Sequence, residues 1–187
     1  LRHLVMQSGS GNCVIITDHH LYEIYADWLK TLKVIVVKAG ESSKDMSVYE
    51  SVLERMVKFG ISRTGAIIAF GGGVIGDLAG FVAATYMRGI DFYQIPTSLL
   101  AMVDSSIGGK VAINLSEGKN LVGTFYQPKA VFIDPTLLNT LDKRQWANGM
   151  GEVLKYAIGF NRTFFEELSK HTLNDIMTDH EVLLSMI

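Results

Sequence analysis

The sequence has one cysteine, little net charge and no long apolar run. Cys13 has no second thiol to pair with, so a disulfide framework is excluded, and its apolar surroundings predict a buried thiol in a reducing compartment. The formal net charge of −2 argues against general nucleic-acid binding. No apolar run approaches the roughly 18 residues of a membrane span, and there is no signal peptide pattern. We therefore expect a soluble cytoplasmic protein without nucleic-acid or membrane partners.

The length and the two ends of the sequence predict one domain plus part of another. The 187 residues are 48% hydrophobic, which is enough for a sizeable core. Leu1 is not an initiator methionine, and residues 182–187 form an apolar helical pattern with no glycine, proline or cap after it. We expect the N-terminal part of a longer protein, without internal repeats.

Apolar strand-like runs alternate with segments of helical spacing. Strands are predicted at 14–16, 34–37, 66–70, 92–95 and 131–133, and helices at 21–32, 46–59 and 78–85. This alternation predicts an α/β fold with a Rossmann-like parallel sheet that has helices on both faces. Ligands of such sheets bind at the carboxyl ends of the strands. Here those ends carry Asp18, Gly40-Glu41, Gly71–Gly73 and Thr97-Ser98.

The pattern changes after about residue 136. No further strand is predicted, and 143–158 and 163–187 have helical spacing. We expect a nucleotide-binding α/β domain at 1–136, followed at 137–187 by the beginning of an all-helical domain.

A glycine-rich turn, GGGVIGD at 71–77, directly follows the third predicted strand and opens a helix. Gly71, Gly73 and Gly76 satisfy G-x-G-x-x-G, and a helix N-terminus behind such a turn suits a diphosphate. A tight turn before a core helix is the alternative. In the usual dinucleotide fold the turn follows the first strand, and an acidic residue ends the second. Asp91 has about the right spacing but precedes its strand, so we expect a Rossmann-like fold with different wiring.

Residues 104–114 and 118–120 are polar and glycine-rich. Lys110, Lys119, Asn114 and Asn120 suit anionic oxygens, because lysine supplies a point charge and asparagine supplies directed donors. Asp104 could orient or deprotonate a hydroxyl. A solvated surface loop is the alternative, although the apolar flanks favour a buried loop.

Glu152 and Lys155 lie three residues apart on one predicted helix face. These two residues could form an ordinary ion pair, or Glu152 could belong to a metal site. One carboxylate cannot complete a metal site without further ligands. His171 and His180 lie downstream, but histidines spaced in this way are more often surface residues than metal ligands. The adjacent His19 and His20 point in different directions, so they are poor partners for each other.

Four segments together resemble the 3-dehydroquinate synthase family: GGGVIGDLAGF, YMRGIDFYQIPTSLLAMVDSSIGGKVAIN, GKNLVGTFYQPKAVFID and GMGEVLKY. The likeness runs from about Ile15 to Ile158. Other sugar-phosphate cyclases and, more distantly, glycerol-dehydrogenase-like enzymes are related. The resemblance implies a cytoplasmic homodimer that uses NAD and Zn²⁺ or Co²⁺, with its active site between an α/β and a helical domain. It implies conversion of 3-deoxy-D-arabino-heptulosonate 7-phosphate to 3-dehydroquinate and phosphate in the shikimate pathway.

The resemblance also implies roles for individual residues. Cofactor contacts would be Asp18, Ala39, Gly40, Glu41, Ser42, Ser43, Lys44, Gly72, Gly73, Val74, Ile75, Gly76, Asp77, Thr97, Ser98, Lys110, Lys119, Leu137, Leu138, Asn139 and Thr140. Substrate or catalytic roles would fall to Asp104, Lys110, Asn120, Lys155 and Arg88, with Arg88 reaching the phosphate site of a partner subunit. Glu152 would be the first metal ligand.

The sequence departs from the family pattern at two places. His20 stands where the family usually has asparagine, and the family's two metal-binding histidines fall beyond residue 187. His171 and His180 are too close to Glu152 to be those ligands. The resemblance therefore predicts a chain that binds NAD but does not turn over alone. Another cyclase, a metal-dependent polyol dehydrogenase and a binding-only nucleotide module remain the alternatives.

Overall fold

The computed structural model describes residues 11–187, apart from the side chain of His180, and shows a parallel sheet, a hairpin and a group of helices. The strands are β1 (Cys13–Asp18), β2 (Val34–Val37), β3 (Ala66–Gly71), β4 (Asp91–Pro96), β5 (Lys110–Leu115), β6 (Gly118–Phe125) and β7 (Ala130–Val131). The α-helices are α1 (His19–Ile24), α2 (Ala26–Leu29), α3 (Met46–Lys58), α4 (Gly73–Thr85), α5 (Lys143–Phe160), α6 (Arg162–Leu168), α7 (Leu173–Thr178) and α8 (His180–Leu184). Short 3₁₀ turns lie at Glu41–Ser43, Tyr86–Arg88 and Pro135–Thr140, and a π-helical turn at Ala101–Ser105.

The main sheet has the order β2-β1-β3-β4-β7 with every pair parallel. Successive side chains of a strand point to opposite faces, so Val14 and Ile16 join one core cluster while Cys13 and Ile15 join another. Helices α3 and α4 cover the first face, and α1 and α2 cover the second. The Rossmann-like fold class is therefore confirmed. Strand order reverses between β1 and β3, which is where doubly wound sheets bind ligands.

The β5–β6 hairpin was not predicted. The expected buried loop at 104–114 is wrong from Lys110 onward, because this segment pairs antiparallel with Gly118–Phe125. Val111 and Ile113 alternate with Lys110, Ala112 and Asn114 and are buried in the same cluster as α4. The hairpin therefore covers the face of α4 that does not meet the sheet, and a β-carbon at Gly80 would clash with Val111.

Residues 132–187 form helices and the segments that connect them, as expected. Their core is built around Trp146, Met150 and other apolar residues of the later helices. It also includes Met102, in the π-helical turn, and Leu99, which lies just before that turn. The predicted helix at 163–187 is wrong in detail, because Thr172 and Asp175 form a capping box that starts α7 and Asp179 caps α8. The division into domains at 136/137 stays a prediction.

Two other predicted elements differ in extent. The helix expected at 21–32 is divided at Tyr25 into α1 and α2, and the last strand is shorter than 131–133. Within residues 11–187 none of the helices combines the length and apolarity that crossing a bilayer requires.

Candidate active site

A cavity of about 500 Å³ lies at the carboxyl ends of β1 to β4, beside the switch point of the sheet. Most of the predicted cofactor residues line it: Asp18, Ala39, Gly40, Glu41, Lys44, Gly72, Gly73, Val74, Ile75, Asp77, Thr97, Ser98 and Thr140. His20, which stands where the family usually has asparagine, lines it as well. Residues that sequence reasoning missed also contribute, namely Leu21, Leu100, Ser105, Leu141, Asp142 and Gln145. We call this space the sheet-edge cavity. Asp142 and Gln145 come from the start of α5, so the helical segment closes one side.

Several predicted contacts lie outside the sheet-edge cavity. Lys110 lines a neighbouring cavity, Leu137 and Asn139 line a third one beside the aromatic ring of Trp28, and Leu138 is buried in the helical core. The rest of the predicted set, Ser42, Ser43, Gly76 and Lys119, lie next to residues that line the sheet-edge cavity or its neighbour.

The glycine turn gives α4 an open N-terminus. Asp45 and Asp142 directly precede helices α3 and α5 and cap them, since their carboxylates accept bonds from backbone N–H groups. Gly72, which precedes α4, supplies no such bond, and no acidic residue lies in the first turn. The first-turn N–H groups of α4 lie at the sheet-edge cavity, and a β-carbon at Gly73 would lie 2.8 Å from Ser105 Oγ. This cradle fits the diphosphate of a dinucleotide such as NAD.

A buried lysine connects three elements at the floor of the cavity. Lys44 is 4% exposed, and its Nζ donates to Asp77 Oδ2 at 2.5 Å and to Asn120 Oδ1 at 2.6 Å. Glu41 Oε1 lies 4.0 Å away. Burial raises the pKa of the Asp77 carboxyl, and the Lys44 ammonium offsets part of that rise. Lys44 thus joins the turn at Glu41–Ser43 to α4 and to the hairpin.

A second cavity of about 690 Å³ adjoins the first, and we call it the hairpin cavity. It shares Asp77 and Ser105 with the sheet-edge cavity and also contains Asp104, Lys110 and Asn120. The predicted catalytic residues of the α/β segment, except Arg88, are therefore brought together. A space with a lysine and an amide along one wall suits an anionic ligand.

Helix α5 reaches the hairpin cavity through Tyr156. The Tyr156 hydroxyl donates to Asp104 Oδ1 at 3.0 Å, and this bond raises the pKa of Tyr156. Lys155 donates to Glu152 and lies 4.8 Å from the centre of the Tyr156 ring. The bond to Glu152 raises the pKa of Lys155. Asp104, Tyr156, Lys155 and Glu152 therefore form one continuous chain of contacts.

The predicted metal ligand, Glu152, has no set of partner ligands around it within the described residues. Among residues 11–187, leaving aside the side chain of His180, no three His, Cys, Asp or Glu side chains are arranged to hold an ion. Glu152 fits as one carboxylate ligand. His171 instead lies beside Glu167, with Nε2 3.9 Å from Oε1, and His19 Nδ1 accepts from the Ala39 N–H at 3.1 Å.

Arg88 lies apart from this constellation. It is exposed at the end of the turn Tyr86–Arg88, where Met87 and Arg88 have φ values of 51° and 71°. Its predicted reach towards a partner subunit stays a prediction.

Comparison with known proteins identifies the family of this chain. Residues 34–148 match the model of the 3-dehydroquinate synthase N-terminal family. A 3-dehydroquinate synthase of Thermoanaerobacter pseudethanolicus is 47% identical over 186 residues, covering 95% of this chain and 52% of that protein. That of Thermoanaerobacter sp. strain X514 is 51% identical over 180 residues, covering 91% of this chain and 51% of that protein. The chain thus spans about half the length of these relatives.

Solved structures agree with this assignment. The 2-epi-5-epi-valiolone synthase of Streptomyces hygroscopicus, with NAD⁺ and Zn²⁺ bound, is 31% identical and superposes with a TM-score of 0.85 over 94% of this chain and 52% of that one. A 2-deoxy-scyllo-inosose synthase complexed with carbaglucose-6-phosphate, NAD⁺ and Co²⁺ is 32% identical, with a TM-score of 0.72 over 82% of this chain and 46% of that one. From the sheet-edge cavity, the matched family and these structural neighbours, we conclude that this chain belongs to the 3-dehydroquinate synthase family.

Proposed function

We propose that the chain is the NAD-binding portion of a 3-dehydroquinate synthase, which converts 3-deoxy-D-arabino-heptulosonate 7-phosphate to 3-dehydroquinate and phosphate. The observation that carries the proposal is the pair of adjoining cavities. One has the open N-terminus of α4 and fits a dinucleotide, and the other has Lys110 and Asn120 and fits a phosphorylated substrate. The names of the relatives and the NAD⁺ in the solved neighbours support it.

The residues of this chain bind and orient the reactants. The amides of Gly73 to Ile75 hold the cofactor diphosphate, while Asp18 and Glu41 accept bonds from ribose hydroxyls. Lys110 and Asn120 hold the substrate phosphate, and Asp104, fixed by Tyr156, orients a substrate hydroxyl. When bound, NAD supplies reversible hydride acceptance and the metal supplies polarisation of an oxygen.

Glu152 would be one ligand of a Zn²⁺ or Co²⁺ ion, and Lys155, released from Glu152, would contact the substrate. The remaining ligands come from outside the described residues, so the chain alone binds NAD without turnover. We propose further that the enzyme is a cytoplasmic homodimer, in which Arg88 reaches the phosphate site of a second copy.

The test is calorimetric titration of the 187-residue chain with NAD, together with an assay of phosphate release from the heptulosonate phosphate. We expect saturable NAD binding without phosphate release, and release only from the full-length enzyme, meaning this chain extended to the length of its relatives. Turnover by the chain alone would contradict the proposal. Net NADH accumulation by the full-length enzyme, without phosphate release, would instead indicate a polyol dehydrogenase.

A further inference from the structure

Asn114 lies where the hairpin meets the turn Glu41–Ser43, and its side chain is occupied by protein contacts. Its Nδ2 donates to Glu41 Oε1 at 2.8 Å, and its Oδ1 accepts from the Asn120 N–H at 2.9 Å. Its own backbone N–H donates to the Lys44 carbonyl at 2.6 Å. Asn114 does not line the sheet-edge or the hairpin cavity, but it contacts residues that line both.

The contact between Asn114 and Asn120 fixes Asn120 in a backbone conformation that residues with side chains rarely adopt. Asn120 has φ 57°, in the left-handed region, and the hairpin register is irregular between Ile113 and Leu115. Such a conformation persists where surrounding contacts determine it. Here the Asn120 backbone N–H donates to Asn114 Oδ1, and the Lys44 Nζ donates to the Asn120 side-chain oxygen at 2.6 Å. The position of the Asn120 amide in the hairpin cavity thus depends on Asn114.

An amide is the side chain that can make both contacts at once. Glu41 offers only acceptor oxygens and the Asn120 N–H only a donor, so the bridging group needs one donor and one acceptor. Aspartate would keep the bond from Asn120 but would place its carboxylate against that of Glu41. The nearby ammonium groups of Lys44 and Lys119, 4.0 and 3.7 Å from Glu41 Oε1, would offset only part of that repulsion.

We propose that Asn114 is a positioning residue that couples the two cavities, so that an anion in the hairpin cavity and NAD in the sheet-edge cavity favour each other's binding. The coupling passes from Glu41 through Asn114 to Asn120, and it is reciprocal because it is a free energy shared by two sites. This inference rests on the proposed function, since it takes NAD and a phosphate group as the two ligands.

The experiment measures the dissociation constant of NAD for the full-length enzyme with and without saturating inorganic phosphate. We expect phosphate to tighten NAD binding by about fivefold or more in the parent enzyme, which is the low end of typical coupling. In Asn114→Asp the ratio of the two constants should fall to about one. A loss of thermal stability with an unchanged ratio would reduce Asn114 to a structural residue and overturn the inference.

The Glu41→Gln background provides the second arm and guards against a variant that merely folds poorly. A glutamine amide in place of the Glu41 carboxylate can donate to the carboxylate that Asn114→Asp introduces. The double variant therefore restores the bond, with the donor now at position 41 and the acceptor at position 114. We expect Asn114→Asp to change the ratio by less than about twofold in that background. Equal effects in both backgrounds would show that the Glu41 contact carries no coupling, which would overturn the inference. Asn174→Asp, exposed on α7, is the matched control and should leave the ratio unchanged.

The two proposals fail in different ways. A parent enzyme that does not bind NAD would overturn the proposed function and this inference with it. A parent enzyme that binds NAD equally well with and without phosphate would overturn the coupling while leaving the proposed function standing.

Discussion

Two lysine–carboxylate pairs flank the cavities, and they differ in how firmly they are held. Lys44 and Asp77 are 4% and 22% exposed in their side chains, whereas Lys155 and Glu152 are 58% and 17% exposed. Lys44 has further partners in Asn120 and Glu41, and its departure would remove the donor to the Asn120 side-chain oxygen. Lys155 can swing into solvent and free Glu152. The first pair is therefore part of the fold, and the second is the pair that the proposed metal ion would replace.

The largest effect is expected on metal binding and turnover when the Glu152 carboxylate of the exposed pair is removed. Glu152→Gln in the full-length enzyme should abolish bound metal and nearly all turnover, because a neutral amide is a much poorer ligand for a divalent cation. Folding and NAD affinity should be retained, since the glycine turn lies in the other part of the structure. Elemental analysis and a phosphate-release assay decide it. Stoichiometric metal with normal turnover would return Glu152 to a simple helix ion pair with Lys155.

The next effect is on stability. Lys44→Met should lower the free energy of unfolding by about 3 kcal/mol, because it leaves the partly buried Asp77 carboxylate without its cation. It should also weaken NAD binding. Chemical denaturation and calorimetry measure the two effects. Lys30→Met is the control, because Lys30 pairs at 2.9 Å with a 99% exposed Asp27 and should change stability little. If Lys44→Met and Lys30→Met lowered the free energy of unfolding by similar amounts, the buried pair would contribute no more to stability than an exposed one.

A smaller effect is expected at Lys110 in the hairpin cavity, and unlike the effect at the buried Lys44–Asp77 pair it should fall on kcat/KM and not on stability. Lys110 is exposed at the start of β5, so Lys110→Met should hardly change stability. It should lower kcat/KM by at least about tenfold, which corresponds to about 1.4 kcal/mol of transition-state stabilisation. Steady-state kinetics of the full-length enzyme measure this. Kinetics equal to those of the parent enzyme would make Lys110 an ordinary surface lysine.

The smallest effect is expected from the exposed pair itself. Lys155→Met in the 187-residue chain should leave the thermal unfolding midpoint nearly unchanged, because exposed ion pairs contribute little. Thermal unfolding followed by circular dichroism would show it, with Lys44→Met alongside. A midpoint that falls as far as in Lys44→Met would mean that Lys155 is a structural residue like Lys44.

Much of the fold could be predicted because the strands of the parallel sheet are continuous apolar runs. β3 is buried at every residue, and its sequence has no polar position that could suggest another structure. The glycine turn followed from chain order alone, since Gly71 to Gly73 directly follow the predicted strand. The partition of the predicted site residues between the two cavities could not be predicted, because it depends on the packing of the hairpin against α4.

The hairpin itself was missed because its polar residues and glycines are typical of a loop. Val111 and Ile113 alternate with Lys110, Ala112 and Asn114, and this period of two was the available signal. Asn114 could not be singled out from the sequence, since its role arises from contacts with Glu41 and Asn120. The breaks in the later helical segment were signalled by Thr172 and Asp175, which fit a capping box.

Helix α4 lies between the sheet on one side and the hairpin on the other, and its residues from Leu78 to Ala83 are all buried. A helical segment that is buried at every residue leaves little room for neutral substitutions, so we expect Leu78 to Ala83 to vary less than the exposed positions of α3. Its amide hydrogens should also exchange with solvent only when the whole α/β part opens. The helix whose N-terminus is proposed to bind the cofactor should therefore change slowly, both in its sequence during evolution and in the exchange of its amide hydrogens.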